Sequence, residues 1–449
     1  MRLKFIIPIL ALTNISLLAA PSLESKPDDA HFEKFQPVKA LAIHGLLLKK
    51  GDRLAICGDS ITEQKMYSRI MEDYLTMCVP QLKVSVRQYG WSGEWASGFL
   101  GRMTNDCLRF DPTIATTCYG MNDCEYHVYS DHIGRTYQEN SQRIVESFKA
   151  HHVRLILGSP GCISKMPPWA VNNGATLEQL DLNLCNLRNL DEQLAQEENV
   201  RFADVFWPMF TADYTARQKY DPNYSICGKD GVHPSWAGHT IMAYAYLKAM
   251  GLDGDIGTFT IDLKRNKAKV SAGHKVISAK DGEFEIESSR YPFCPCEAES
   301  QANYPTCGQD ATNSENSIRS GETFVPFNED LNRLMLVVKN AGAKEYQVTW
   351  GDETKTFTGD QLTHGINLAA EFPANPFTAA FAKVDAAVAA KQAYETKEIK
   401  DIFHHHGSES LTEHTDKVVG HAEQDREPLV TAVHAAFVPV THVIRIVEK

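Results

Sequence analysis

Between about residue 37 and residue 252 short apolar runs alternate with stretches of helical periodicity, and few folds accept that order. The strand candidates are Arg53–Cys57, Lys83–Gln88, Thr113–Cys118, Val153–Leu157 and Arg201–Val205. Helical patterns lie around 64–77, 95–108, 131–150, 176–198 and 236–250. Each helix must return the chain to the starting end of the sheet, so the strands run parallel and helices cover both faces. The crossovers are right-handed by default. In open sheets of this kind a ligand sits beyond the carboxyl ends of the strands. Four polar clusters follow strand candidates: Gly58-Asp59-Ser60, Trp91-Ser92-Gly93-Glu94, Gly120-Met121-Asn122-Asp123 and Ser159-Pro160-Gly161. A fifth, Asp230-Gly231-Val232-His233-Pro234, precedes the last helix, and the five converge on one edge.

After Gly251 the pattern changes. Phe259, Ile261 and Leu263, then Val270, Val276 with Ile277, and Phe284 with Ile286 suggest short strands joined at Arg265-Asn266, Gly273 and Asp281-Gly282. Strand signals resume at Leu334–Val338, Tyr346–Trp350 and Thr354–Phe357, beyond a long polar loop over 290–322. A small antiparallel β unit over 253–372 is expected. Asn375-Pro376 then opens a helix with Phe377, Phe381, Val384 and Val388 on one face. Residues 404–428, rich in His and Glu, read as the exposed part of a helical and polar segment over 373–430. Within 431–449, Val440–Val447 reads as a strand that returns to the β unit.

At the other end, Arg2 and Lys4 precede an apolar run from Phe5 to Leu18, and Ala19-Ala20 offers small residues for cleavage. Residues 1–20 therefore read as an export signal, and 22–36 as a poorly ordered leader. No second run of about 18 apolar residues follows, so no stable membrane insertion is expected. The formal charge of −12 argues against nucleic acid and anionic membrane surfaces as partners. A 43% hydrophobic and 23% charged composition is that of a globular protein, and 449 residues allow two or three domains. Of the eleven cysteines, Cys57, Cys118 and Cys162 lie in apolar stretches and read as buried thiols. Cys294, Cys296 and Cys307 cluster in the polar loop, where an exported chain is expected to form a disulfide.

The stretch Leu54-Ala-Ile-Cys-Gly-Asp-Ser-Ile-Thr-Glu63 reads as a strand entering a tight turn at Ser60, with a helix starting just after it. The positive end of that helix favours developing negative charge. A serine needs a base to act as a nucleophile, and the Asp230 to His233 block supplies a histidine. Singly these signals are weak. An asparagine such as Asn122 after a strand is more often a turn former, and His233 alone could be a satisfied core histidine, as His239 reads. His404-His405-His406 hints at a metal, but without a carboxylate or cysteine at ligand spacing a solvated helix end is the better reading. A Gly-x-Ser-x-Gly elbow, a glycine-rich phosphate loop and a His-Glu-x-x-His zinc motif are all absent from the sequence. Neither a cofactor nor a metal is expected.

In combination and in order, the blocks resemble the SGNH hydrolases, also called GDSL esterases, and in their extended form a subset of exported bacterial members with an extra C-terminal region. The resemblance covers about residues 50–252 and implies a catalytic domain over 37–252 on a flavodoxin-like, three-layer α/β/α parallel sheet. It implies Ser60 as nucleophile, His233 as base and Asp230 as the partner of His233. It also implies an oxyanion hole from the Ser60 and Gly93 N–H groups and the Asn122 amide. Gly-Asp-Ser is followed here by isoleucine rather than leucine, which touches none of that chemistry. The expectation is a secreted or periplasmic serine esterase that removes an acyl group, acetyl being the first candidate, from a small-molecule or polysaccharide ester, with a carbohydrate favoured. One rival is a lipid or lysophospholipid esterase, for which Ser159–Gly174, with Met166, Pro167, Pro168 and Trp169, would serve as an apolar flap. The other is a non-catalytic glycan-binding protein on the same fold, against which the completeness of the blocks argues.

Overall fold

Strand β1 (Arg53–Gly58) is apolar and buried beyond its first residue, as a strand covered on both faces must be. In the computed structural model, which describes residues 22–295, 316–342, 344–404 and 413–449, it lies inside a five-stranded parallel sheet, one strand in from the edge. The others are β2 (Ser85–Gly90), β3 (Ile114–Cys118), β4 (Arg154–Gly158) and β5 (Arg201–Ala203), in the order β2-β1-β3-β4-β5. That is the flavodoxin-like order. Gly58 pairs in register with Gly90 on one side and Cys118 on the other, so three strands end level. Between the strands run α1 (Ser60–Glu63), α2 (Tyr67–Asp73), α3 (Ala96–Asp106), α4 (Asp131–Ala150), α5 (Leu177–Glu198) and α6 (Phe206–Lys219), and α7 (Trp236–Ala249) closes the layer.

Two boundaries differ from expectation for local reasons. Strand β2 starts two residues late because Pro80–Leu82 forms a tight turn and Lys83 takes a φ of 49°. Helix α6 was hidden by Pro208, which sits in its first turn, where a missing N–H removes no helical hydrogen bond. Residues 22–36 are also better ordered than expected. Phe32 and Phe35 are buried against Phe210, with Trp207 and Tyr214 beside Phe32, and those contacts fix the leader on α6. The export signal lies outside the described residues.

The C-terminal half builds β6 (Asp255–Asp262), β7 (Lys267–Val270), β8 (His274–Lys280), β9 (Glu283–Ser288), helix α8 (Ile318–Phe324), β10 (Arg333–Lys339), β11 (Glu345–Trp350), β12 (Glu353–Thr358), β13 (Ile366–Asn367) and β14 (Val440–Glu448). They form two sheets, β13-β10-β6-β7 and β12-β11-β14-β9-β8. One pairing corrects the expectation of a purely antiparallel unit. β10 lies parallel to β6, because it arrives through the long connection after β9 rather than through a hairpin. Phe259 of the first sheet meets His274 and His442 of the second, with ring centroids 4.9 and 5.8 Å apart. The last strand returns between β9 and β11. Cys294 is a buried free thiol, so the expected bridge does not run through it, and Cys296 and Cys307 lie outside the described residues. Cys57, Cys118 and Cys162 are buried thiols.

Two helices, α9 (Thr378–Lys397) and α10 (Glu413–Ala436), return to the parallel sheet and cover its β2 edge. An open edge presents unpaired backbone groups. Here Lys391 Nζ donates to the Val86 carbonyl at 2.8 Å, and the Gln88 N–H donates to Glu395 Oε2 at 3.1 Å. Lys391 also lies 3.1 Å from Glu72 of α2 and 2.7 Å from Glu395, and Arg426 of α10 bonds Glu395 at 2.6 Å. Residues 404–428 are therefore not a wholly exposed stretch, since Ala422 is buried and Arg426 reaches the β2 edge. Among the described residues no helix is long and apolar enough to cross a membrane.

The ion cluster sets one expectation. Burial raises the Glu72 carboxyl although Lys391 opposes it, while Lys391, Arg426 and Arg87 together hold Glu395 below its ordinary value despite burial. Replacing Lys391 by Met would leave Glu72 buried without its cation, while Glu395 keeps Arg426, and should cost about 3–5 kcal/mol, because an uncompensated buried charge is worse than a lost pair. Chemical denaturation should show this loss at pH 7 and a smaller one at pH 5, where Glu72 can take up a proton.

Asp59 sets another. It caps α1, its Oδ1 accepting the Ile61 N–H at 2.9 Å, and burial lifts its pKa to about 7 although that bond lowers it. A carboxyl with a raised folded pKa stabilises fully below the unfolded value, near 3.8, and the contribution is lost as pH rises through about 7. The melting temperature of Asp59→Asn relative to wild type should therefore climb between pH 4.5 and pH 7. A flat difference would show that Asp59 is ionised throughout.

Candidate active site

Ser60 is the first residue of α1, directly beyond the carboxyl end of β1 and at the positive end of a short helix. His233 arrives from the opposite direction, on the loop between α6 and α7. That loop turns sharply at Gly231, whose φ of +83° and whose Cβ position, 2.3 Å from the Lys165 carbonyl oxygen, admit only glycine. The turn places Asp230 under the imidazole. Asp230 Oδ1 accepts the N–H groups of Val232 and His233, each at 2.9 Å, and Oδ2 lies 2.7 Å from His233 Nδ1. Partial burial raises the Asp230 carboxyl, but these donors outweigh it and hold it below the usual carboxylate value. An ionised carboxylate only accepts, so Nδ1 carries the hydrogen and Nε2 of the neutral ring is a free acceptor. His233 Nε2 lies 2.8 Å from Ser60 Oγ. The three residues thus form one hydrogen-bonded line.

The loop after β2 forms the other wall. Trp91 N–H donates to the Gly58 carbonyl at 3.0 Å, and Ser92 N–H donates to Glu63 Oε2 at 2.5 Å, so the loop is tied to β1 and α1 on either side of Ser60. Gly93 follows with a φ of +74°. Glu94 is clamped by Arg102 through two bonds of 2.6 Å and by the Tyr119 hydroxyl at 2.9 Å. Asn122 Nδ2 donates to the Glu94 carbonyl at 3.0 Å, which fixes the amide against this loop and leaves its second N–H for a ligand. Asp123 accepts the N–H groups of Gly120 and Ala96, each at 3.0 Å, and burial lifts its carboxyl to about 6.

The site residues expected from the sequence therefore fall in one place: Ser60, His233 and Asp230 in direct contact, Gly93 and Asn122 on the facing loop system. His239 is a buried core histidine. It bonds Gln64 Oε1 at 3.0 Å, and burial depresses it to about 3. His404 is exposed, but its Nε2 reaches the buried Asp106 Oδ2 at 2.8 Å, while His405 and His406 lie outside the described residues. Among the described residues no group of three His, Cys, Asp or Glu side chains could hold a metal ion. Reading the sequence gave no role to Glu63, although it ends the Gly-Asp-Ser-Ile-Thr-Glu run, and gave none to Lys400, which bonds it. Trp169 stands half-exposed, its ring tilted edge-on to His233 with centroids 6.1 Å apart. On the His233 side opens a cavity of about 580 Å³ lined by Tyr224, Ser225, Lys229, Asn223, Asp221 and Gln64 among others.

Residues 56–241 match the profile of the GDSL-like Lipase/Acylhydrolase family. An acetylxylan esterase from Geobacillus stearothermophilus is 24% identical over 231 residues, which cover 45% of this chain and 95% of the relative. A solved structure of an acetylxylan esterase from the same organism aligns with 20% identity and a TM-score of 0.38 over 46% of this chain and 97% of that one. A gut microbial diltiazem-metabolizing enzyme aligns with 21% identity and a TM-score of 0.68, covering 91% of this chain and 99% of its own. The last likeness shows that the fold is shared through the C-terminal sheets and helices. Residues 56–241 thus form a GDSL-like lipase/acylhydrolase domain, and the chain is an ester-bond hydrolase.

Proposed function

We propose that the protein is an exported serine esterase that removes acetyl groups from a carbohydrate, with Ser60 as nucleophile. The observation that carries the reading is the line Asp230–His233–Ser60, with contacts of 2.7 and 2.8 Å. In this mechanism Ser60 Oγ attacks the acyl carbonyl carbon while its proton passes to His233 Nε2. The Ser60 and Gly93 N–H groups and the Asn122 amide receive the charge that builds on the carbonyl oxygen. Collapse of the tetrahedral species breaks the bond to the alcohol oxygen, which takes the proton from His233. Water then repeats the cycle on the acyl-enzyme, losing its proton to His233 and releasing the acid and Ser60.

Because His233 hands its proton to the leaving alcohol, the alcohol lies on the His233 side. The cavity there sets Asp221, Asn223, Ser225 and Lys229, which can bond hydroxyls, beside Met66, Tyr224 and Trp236, on which a sugar ring can stack. The likeness to an acetylxylan esterase and the export signature of residues 1–20 support the same reading.

The test is release of acetate from acetylated xylo-oligosaccharides, set against hydrolysis of lysophospholipid and of long-chain nitrophenyl esters. Acetylated sugar should be the better substrate, and a preference for the long chains would replace the carbohydrate reading with the lipid one. A serine-reactive fluorophosphonate should label wild type and not Ser60→Ala, and a folded Ser60→Ala with wild-type turnover would refute the assignment. Asn122→Ala should lower kcat by about 10²–10³-fold with KM little changed, since its amide meets charge present only in the transition state.

A further inference from the structure

We propose that Lys400, brought to the site by the C-terminal region, is a positioning residue that sets the oxyanion loop through Glu63. The inference rests on the esterase reading above. Lys400 Nζ lies 2.8 Å from Glu63 Oε1 and 3.0 Å from Oε2, and Oε2 in turn receives the Ser92 N–H at 2.5 Å. Glu63 closes the one-turn helix that Ser60 opens, and Ser92 immediately precedes Gly93. One carboxylate therefore joins the helix of the nucleophile to the residue before an oxyanion donor, and Lys400 holds that carboxylate by both oxygens.

Lys400 is itself held firmly. It lies in the turn Glu398–Phe403, where Glu398 bonds Arg87 of β2 at 2.9 Å, Ile399 is fully buried and Phe403 stacks on Phe110 at 6.2 Å. The same turn packs on Trp91, the first residue of the loop. Lys400 Nζ is 5.4 Å from the Trp91 ring centroid, and the His404 ring meets it edge-on at 4.9 Å. Lys65 is a second cation near Glu63, but it bonds the Glu63 backbone carbonyl, at 2.6 Å, rather than the carboxylate. Burial raises the Glu63 carboxyl, and the bonds from Lys400 and Ser92 bring it below its ordinary value. Without Lys400 the carboxylate loses its anchor, and with it the fixed acceptor for Ser92.

Magnitude separates a positioning role from a merely structural one. The Lys400 and Glu63 side chains are 30% and 18% exposed, and a partly exposed pair contributes little to folding. A small displacement of an oxyanion donor, in contrast, acts directly on the rate.

The experiment compares wild type, Lys400→Met, Lys400→Arg, Glu63→Gln and the double variant Lys400→Met/Glu63→Gln in the full chain on 4-nitrophenyl acetate, with melting temperatures alongside. Lys400→Met should lower kcat about 10-fold with KM within about 2-fold, and Lys400→Arg should restore most of it. The double variant should be no slower than the slower single one, because both act on one line. Wild-type kcat in Lys400→Met, whether or not its melting temperature falls, overturns the proposal, and so does an additive double variant. If the Lys400 variants do not fold, Glu63→Gln decides alone: a lowered kcat at unchanged KM supports the proposal and a wild-type kcat overturns it. Failure of the wild type itself to cleave any ester or to take a fluorophosphonate label would refute the esterase reading and not this inference alone.

Discussion

The interaction on which the rest of this structure depends is the burial of Lys391 between Glu72, Glu395 and the Val86 carbonyl. A five-stranded parallel sheet has two edges. Its β5 edge is only three residues long, but β2 runs six residues and carries the loop that faces Ser60. Left open, that edge would invite another strand. The chain covers it with α9, whose contact with β2 is made through charge rather than through apolar packing alone. Each of those ions would be costly to bury by itself, and the cluster is tolerable only when all members are present. The two halves of the chain are thereby bound to each other along β2, at Val86 and Gln88, on the strand that carries the catalytic loop.

The site inherits that arrangement. Ser60 is placed by local chemistry, a buried strand, an aspartate cap and one helical turn, and His233 and Asp230 are placed by a glycine turn. Nothing comparable fixes the loop after β2 from its own sequence. It is held by long-range bonds: Trp91 to Gly58, Ser92 to Glu63, Glu94 to Arg102 and Tyr119. Two other acids beside the site, Asp59 at the cap of α1 and Asp123 after β3, are buried, and burial moves them toward neutrality, to about 7 and about 6. A serine that must develop negative charge nearby gains from neighbours that can remain uncharged.

What could be read from the sequence follows the same division. The parallel order and the convergence of polar clusters rest on short periodic patterns, and Asp230 with His233 on residues three positions apart, whereas the pairing of Ser60 with His233, 173 positions apart, comes from the resemblance of the blocks to a known family. The helix at Phe206 was missed because proline in a first turn looks like a break. The burial in 404–428 was missed because Arg426 and Glu423 are polar and their partners are more than 300 positions away, at Val86 and Arg87. The parallel β6–β10 pair was invisible because the residues between do not form a recognisable crossover. The leader was misread because two phenylalanines, Phe32 and Phe35, suffice to dock it and leave the composition polar. Lys400 offers no local sign at all, since a lysine after a helix is ordinary.

A functional division follows from where these supports come from. In the proposed mechanism the side of Ser60 that receives the leaving alcohol is built from the α6–α7 loop, with Tyr224, Ser225 and Lys229 beside His233, and Asn316 just before α8 also lines it. The side that receives the oxyanion is built from the loops after β2 and β3 and is backed by the turn following α9. Different stretches of chain thus govern recognition of the alcohol and stabilisation of the transition state. Substitutions over 221–229 can change which ester is accepted without loosening the oxyanion loop. Changes in the C-terminal helices act in the opposite sense, on the rate with every ester alike, because they reach the reaction only through the groups that meet the carbonyl oxygen.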